Sequence, residues 1–299
     1  MYQAQAAIFC YAVSPVHMGA GSAFGLIDSP IQRERHTEYP HFAGSGLKGA
    51  LRHHFAHQPG WDGEMINRLF GPEGGELHAG AISLGDAQLI AFPVRSVKHG
   101  YVYATSALAL QRAVRQLALL GKAHWSSKIA PPAEGHCACA SDEAISGSKL
   151  YLETFEYTAS VSAELKQIAT WLAEHALPKG EAHQYFRDKF SRHLVLLPDE
   201  DFSHFVKHAT VVEPHVRIDD ATGTASDGGL FYVENLPPES LLLTALMASH
   251  ERSSKGSLAA EAVLSHVIQT LNGQQVQIGG DATTGRGQVV FTAHLTAHQ

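Results

Sequence analysis

Cysteine is scarce in this 299-residue chain. Cys10, Cys137 and Cys139 are too few for a disulfide framework and suit a reducing, cytoplasmic setting. Positive charge is short as well: 22 Lys and Arg face 29 Asp and Glu, a formal net charge of −7. That excludes a general nucleic-acid coat, so any polyanion site must be a local groove. Twenty histidines temper the exclusion, because each adds positive charge if its pKa is raised. No apolar run approaches the roughly 20 residues of a spanning helix, and no membrane partner is expected. The opening MYQAQAAIFCYAV lacks the basic start and cleavage site of a secretory signal. No internal repeat and no Walker sequence is present. The stretch Gly19–Gly25, GAGSAFG, has the wrong spacing for a dinucleotide fingerprint and leads to Pro30 instead of a helix. His136-Cys-Ala-Cys139 offers three metal-binding side chains, but no second Cys or His pair stands at a familiar zinc spacing.

What is there is a globular composition, 44% hydrophobic and 17% charged, long enough to bury a substantial core. Residues 4–13 read as an apolar opening strand, 45–56 as a helix, and 81–94 with 101–105 as two strands. Helices follow at 106–120, with Ala107, Leu110, Val114 and Leu117 on one face, and at 161–175, with Val161, Leu165, Ile168 and Leu172. Residues 126–148 read as loop, 149–159 and 194–198 as strands, and 199–209 as a helix with an acidic first turn. Residues 211–248 read as two strand-like arms around a polar tip at 219–229. A helix at 257–271, a strand at 274–280, a glycine-rich loop at 279–287 and a strand at 288–295 close the chain. Irregular interleaving without βαβ runs predicts an α+β fold. The glycine-rich loops near the two ends meet if the first and last strands are neighbours.

Chemistry concentrates between His17 and Arg52. Gly44-Ser45-Gly46-Leu-Lys48-Gly49-Ala-Leu-Arg52 reads as a glycine-rich loop opening a helix, where free N–H groups and the helix dipole favour a phosphate. Lys48 and Arg52 add cationic donors one turn apart. Asp28 lies in an Ile-Asp-Ser-Pro stretch and reads either as an Asx turn or as a metal ligand or proton acceptor beside Arg33, Arg35 and His36. His17 reads either as a packed strand-end imidazole or as a base. Arg286, between Gly285 and Gly287, has reach for a backbone phosphate. The hairpin tip carries Asp219, Asp220 and Asp227, which suits a steric wedge or a subunit contact better than a grip on phosphate. Glu234 and Glu239 read as solvated acids or as members of a metal site.

These pieces together resemble the RAMP superfamily of CRISPR proteins: the strand-H-x-G-x-G opening, the run Ile27-Asp28-Ser-Pro30-Ile-Gln-Arg33-Glu-Arg35-His36-Thr, the Gly44–Arg52 helix start and the Gly-Gly-Asp-x-Thr-Thr-Gly-Arg-Gly tail loop. Within it the chain is most similar to the repeated backbone subunit of the type III-B (Cmr) effector complex. The hairpin sequence from Val216 to Phe231 and the later Glu-x-Leu-Pro-Pro-Glu carry the same likeness, which weakens only at 121–148 and 176–192.

The resemblance implies one RAMP domain over 1–299, a modified ferredoxin-like (RRM-like) core with insertions, and a projecting thumb hairpin at 211–240. It implies copies stacked on a CRISPR guide RNA with other Cmr subunits, each thumb displacing a base pair of the guide–target duplex. Asp28 is then the catalytic acid and a ligand of a divalent metal, taken as Mg2+, with His17 and Glu234 as further catalytic candidates. Target RNA is cut to a 2′,3′-cyclic phosphate. Gly44, Ser45, Gly46, Lys48, Gly49, Arg52 and Arg286 fall to RNA binding, since pairing reads sequence and protein reads backbone. Two other readings stand beside this: a purely structural guide-binding subunit, and a stand-alone metal hydrolase built on Asp28, His17 and His36.

Overall fold

The computed structural model describes residues 2–23, 25–75, 78–126, 128–254, 256 and 258–297. The chain opens with β1 (Ala4–Ala12), apolar at nearly every position and buried on both faces. The short β2 (His41–Phe42) leads into α1 (Gly44–Phe55), whose buried stripe is Gly44, Leu47, Leu51 and Phe55. In α2 (Gly63–Phe70), Asp62 caps the first turn by accepting the Met65 N–H. β3 (Ile82–Leu84) and β4 (Ala87–Ser96) are split at Gly85-Asp86, where a single strand was predicted. β5 (Gly100–Ser106) runs straight into α3 (Ala107–Leu119), capped by Ser106.

β6 (His136–Cys139) falls inside the stretch expected to be loop. The single strand expected at 149–159 is a hairpin, β7 (Lys149–Leu152) and β8 (Phe155–Val161), turned by Glu153 at φ 51°. Val161 therefore ends a strand and is exposed, and α4 (Ala163–His175) starts after a Ser162 cap. α5 (Gln184–His193) was not predicted; its sequence, QYFRDKFSRH, is too polar for a clear stripe. β9 (Leu194–Leu197) and α6 (Asp199–His208) match the expectation.

The hairpin is β10 (Val211–Ile218) and β11 (Ala225–Asn235), a separate two-stranded sheet. Only the first part of the stretch expected to be its far arm lies in β11; the last part is β12 (Leu241–Ala248), buried and paired with both β1 and β4. Pro237-Pro238 ends the hairpin strand and Glu239, at φ 71°, turns the chain into the core. α7 (Ala260–Leu271), β13 (Gln275–Gln277) and β14 (Gln288–His294) complete the fold.

The strands form one large sheet in the order β13-β14-β1-β12-β4-β5-β9-β6-β8-β7, and β7 returns to pair with β4. That pairing closes β4, β5, β9, β6, β8 and β7 into a six-stranded barrel-like ring. The architecture is thus mixed α and β, as predicted, with a ring the sequence did not suggest. Alternation along β1 divides the core. Ala6, Ile8 and Cys10 pack toward α1, α2 and α7, whereas Ala7, Phe9 and Tyr11 pack toward α3, α4 and α5. Among the described residues no helix is long and apolar enough to cross a membrane.

Glu239 is not a solvated acid. Its carboxylate meets the Tyr11 and Tyr103 hydroxyls beneath the sheet, and burial pushes its pKa up to about 7. Between about pH 4.5 and 7 the folded chain therefore holds one proton more than the unfolded chain, and this group's contribution to stability falls as pH rises through that window. We expect Glu239→Gln to gain about 3 kcal/mol relative to wild type on going from pH 5 to pH 8. Urea unfolding at the two pH values checks this; an equal difference at both would remove Glu239 as the cause.

Candidate active site at the hairpin root

The outer edge of β11 gathers the residues between Val16 and Ile31. Leu236 exchanges backbone hydrogen bonds with Val16, and the Tyr232 carbonyl accepts from the Asp28 and Ser29 N–H groups at 3.1 Å each. Ser29 forms a parallel bridge with Val233, so this segment acts as a short third strand at the hairpin's root. Two sequence-predicted residues hang on that edge. Asp28 is exposed, and its Oδ2 accepts the Tyr232 N–H at 2.7 Å while Oδ1 meets no partner among the described residues. His17 Nδ1 lies 2.7 Å from the Glu234 carbonyl. A carbonyl only accepts, so Nδ1 carries a hydrogen, and Nε2 is the ring nitrogen left to meet a substrate. The two anchors are two residues apart on one strand edge, about 7 Å. The bond is not the local Asx turn the sequence offered, since Pro30 has no N–H to give; one carboxylate oxygen instead fastens Asp28 to the hairpin strand.

The glycine-rich tail loop closes on His17 from the opposite side, as neighbouring first and last strands require. The Gly280 N–H donates to the His17 carbonyl at 2.8 Å. Gly279 sits at φ 79°, where a Cβ would stand 2.2 Å from that same carbonyl oxygen. Only glycine permits this approach.

Glu234 is placed differently from the expectation. It is 2% exposed, and every carboxylate oxygen is engaged. Oε1 meets Arg33 at 2.5 Å and Thr210 Oγ1 at 2.8 Å, and Oε2 accepts the Ile31 N–H at 3.0 Å. Its side chain braces the root from within. The same holds for much of the Ile27–Thr37 run. Gln32 bonds Gly19 and Ala43, Arg33 bonds Glu234 and the Val206 carbonyl, and Arg112 forks onto Glu34. Burial pushes the Glu34 carboxyl up, and the bonds from Arg112 and Thr37 outweigh it, holding the pKa below its ordinary value. Only Asp28, Arg35 and His36 of that run are exposed.

Several residues assigned to RNA are already in use. The Gly44 N–H donates to Asp86 Oδ1 at 2.8 Å, and a Cβ on Gly44 would stand 2.4 Å from the Leu84 carbonyl oxygen. Arg52 bonds the Gly71 carbonyl, Asn67 and Glu73. Arg286 is ion-paired with Glu213 on β10, tying the tail loop to the hairpin. Gly49 is exposed on α1 and touches nothing.

Ser45 and Lys48 survive, lining a groove of about 510 Å³ with Tyr2 and Arg252. Gly46, beside them, lies in the first turn of α1, whose N-cap residue makes no side-chain cap bond among the described residues. Burial, with Arg52 and Arg252 nearby, holds the Lys48 pKa below its ordinary value. Arg252 lies 5.9 Å from the Tyr2 ring. Its loop is pinned by Glu251, which takes a fork from Arg68 at 2.6 and 2.7 Å and is thereby held down to about pKa 2. Sequence reading passed over Arg252; the run Arg252-Ser-Ser-Lys-Gly after a buried strand was the available signal, though Lys255 lies outside the described residues.

Among the described residues Asp28, His17 and His36 do not converge into a metal-binding group: Glu234 is turned inward and His36 stands elsewhere, 3.9 Å from Glu34. Cys137 and Cys139 are buried in β6, and the neighbouring thiol, then burial, raises the Cys137 pKa far above its usual range.

A mostly antiparallel sheet carrying a projecting hairpin, with glycine loops clasping a histidine at its root, defines a class. The RAMP superfamily model matches residues 9–290, and the chain belongs to that superfamily. Within it the chain is a homologue of Cmr4. It is 35% identical over 284 residues to the CRISPR system Cmr endoribonuclease Cmr4 of Pyrococcus furiosus, covering 94% of this chain and 93% of that one. The crystal structure of oligomeric Cmr4 from Pyrococcus furiosus superposes with a TM-score of 0.77 at 28% identity, covering 99% and 100% of the two chains. A chain of the type III-B Cmr-beta complex bound to cognate target RNA shares the fold, with a TM-score of 0.75 at 19% identity over 98% of each.

Proposed function

We propose that this chain is the guide-bound backbone subunit of a type III-B CRISPR effector and cleaves the paired target RNA at Asp28. One observation carries the reading: an exposed carboxylate with a free oxygen and an imidazole with a free nitrogen share one strand edge at the root of a projecting hairpin. The relative at 35% identity is named as a Cmr endoribonuclease, which supports the same conclusion. RNA brings its own nucleophile, the 2′-hydroxyl. The protein needs to splay one nucleotide into line, accept a proton and steady the phosphate.

The hairpin supplies the wedge. Val212, Val216, Leu230 and Tyr232 expose apolar surface on one face, with Val216 opposite Leu230 in the register. Asp28 Oδ1 takes the 2′-hydroxyl proton. His17 Nε2, once it has taken up a proton from solvent, donates it to the leaving 5′-oxygen, and the product is a 2′,3′-cyclic phosphate. A divalent cation such as Mg2+, when bound, would be held by Asp28 and would stabilise charge on the phosphate; Mg2+ characteristically needs one or two carboxylates besides substrate phosphates. Guide backbone falls to the Ser45 and Gly46 N–H groups with Lys48, Arg252 and Tyr2.

The core is a ferredoxin-like unit. β1, α1, β4, β12, α7 and β14 follow one another in the chain, and the sheet order β14-β1-β12-β4 is antiparallel throughout. The whole chain then forms one RAMP domain with the hairpin as an insertion. Copies stack along the guide beside other Cmr subunits, consistent with the oligomeric relative.

Reconstitution with guide RNA, partner subunits and complementary target tests this. We expect target fragments at regular spacing, abolished by EDTA. A guide-loaded assembly that leaves the target whole would make the chain a scaffold without nuclease activity.

A further inference from the structure

Away from the hairpin, the β4–β5 turn, the loop before β7 and the end of α5 converge on His99, Glu143 and His193. One ligand atom from each lies within 4.8 Å of the others, and among the described residues no other group of three or more does so. We propose that these side chains form a site for a borderline first-row divalent cation of the Zn2+ type, with water as a fourth ligand. The site shares no residue with the Asp28 edge. Its donors, two imidazoles and a carboxylate, suit zinc and not the oxygen-seeking Mg2+. Three protein ligands with an open position is an arrangement zinc commonly takes.

The geometry is already close to chelation. His193 Nε2 lies 3.1 Å from Glu143 Oε2. Donors around a tetrahedral ion stand about 3.3 Å apart. His193 is buried, and Lys189 Nζ occupies its Nδ1 at 3.0 Å, so Nε2 is the nitrogen directed at Glu143. As it stands Lys189 donates to Nδ1 and Nε2 carries the ring hydrogen, so cation binding at Nε2 requires the opposite tautomer, with Nδ1–H donating to the lysine amine. His99 sits at φ 63°, a left-handed conformation rare outside glycine, and is kept there by Lys189 on its carbonyl at 3.1 Å. Its ring lies 4.5 Å from that of His193, centroid to centroid. Two groups must yield. Arg192, half exposed and 3.2 Å from Glu143, swings into solvent; the Nε2 hydrogen of His193 leaves to buffer as the cation enters, and Lys189 passes a hydrogen to Nδ1 and stays as the neutral amine that accepts it, so one proton is released in all. The bound cation would tie the end of α5 to the β4–β5 turn.

The full chain titrated with Zn2+, and with Co2+ for its visible absorption, tests the site. Asparagine tolerates a left-handed turn, so His99→Asn keeps the backbone, and Glu143→Gln keeps the shape. We expect wild type to bind one zinc ion that both variants weaken tenfold or more, with Mg2+ failing to compete. His53→Asn, which alters an exposed histidine pair on α1, should leave that binding unchanged. Equal zinc affinity and stoichiometry in wild type, His99→Asn and Glu143→Gln, or no binding in any of them, would overturn the proposal.

Discussion

Asp28→Ala should lower target cleavage by the assembled complex about 10²–10⁴-fold, the usual worth of a positioned proton acceptor, without loss of guide binding or assembly. The side chain is exposed and makes one hydrogen bond, to the Tyr232 N–H, so its removal costs about 1 kcal/mol of stability or less. Asp28→Asn sharpens the test. An amide oxygen still accepts from Tyr232, which keeps the 27–31 segment on the β11 edge, yet an amide takes no proton at neutral pH. Both variants should therefore fail alike in cleavage mapping. Activity retained by Asp28→Asn would reduce the carboxylate to a group that fastens the 27–31 segment to the hairpin.

Glu234→Ala should act through the fold. It leaves the Arg33 guanidinium, the Ile31 N–H and the Thr210 hydroxyl without their carboxylate beneath the hairpin. Breaking one side of a buried, hydrogen-bonded ion pair costs about 3–5 kcal/mol, and the melting temperature should fall on the order of 10 °C. Glu234→Gln keeps the shape, and Arg33 keeps the Val206 and Glu38 carbonyls, so its loss should be smaller. Thermal unfolding of the isolated chain distinguishes bracing from catalysis. An unshifted melting temperature with lost cleavage would return Glu234 to the chemistry.

Much of this was readable in residue order. The apolar alternation of β1, the α1 stripe, and the Ser106 and Ser162 caps are local signals, and each leads to the element observed. Asp28 and His17 stood out because a carboxylate and an imidazole beside glycines serve no core. What local order cannot carry is the distant partner. Gly44, Arg52 and Arg286 look free as a sequence; Asp86, Asn67 with Glu73, and Glu213 arrive only through folding. The Ile27–Thr37 run has the opposite lesson, since its charged middle is mostly internal wiring to Glu234 and Arg112. The barrel-like ring was illegible because it closes through β4 and β7, far apart in the chain, and through β6, whose four residues resemble a loop. The Leu241–Ala248 strand was misassigned because strand periodicity does not reveal whether a strand is central or projecting.

The most direct measurement is a structure of the loaded assembly with a target carrying a 2′-deoxy substitution at the cleaved nucleotide. The reading requires Asp28 Oδ1 to lie within hydrogen-bond reach of that missing hydroxyl's position, with His17 Nε2 facing the same linkage and the hairpin between the flanking base pairs. Asp28 on the guide strand, or away from any RNA, would contradict it.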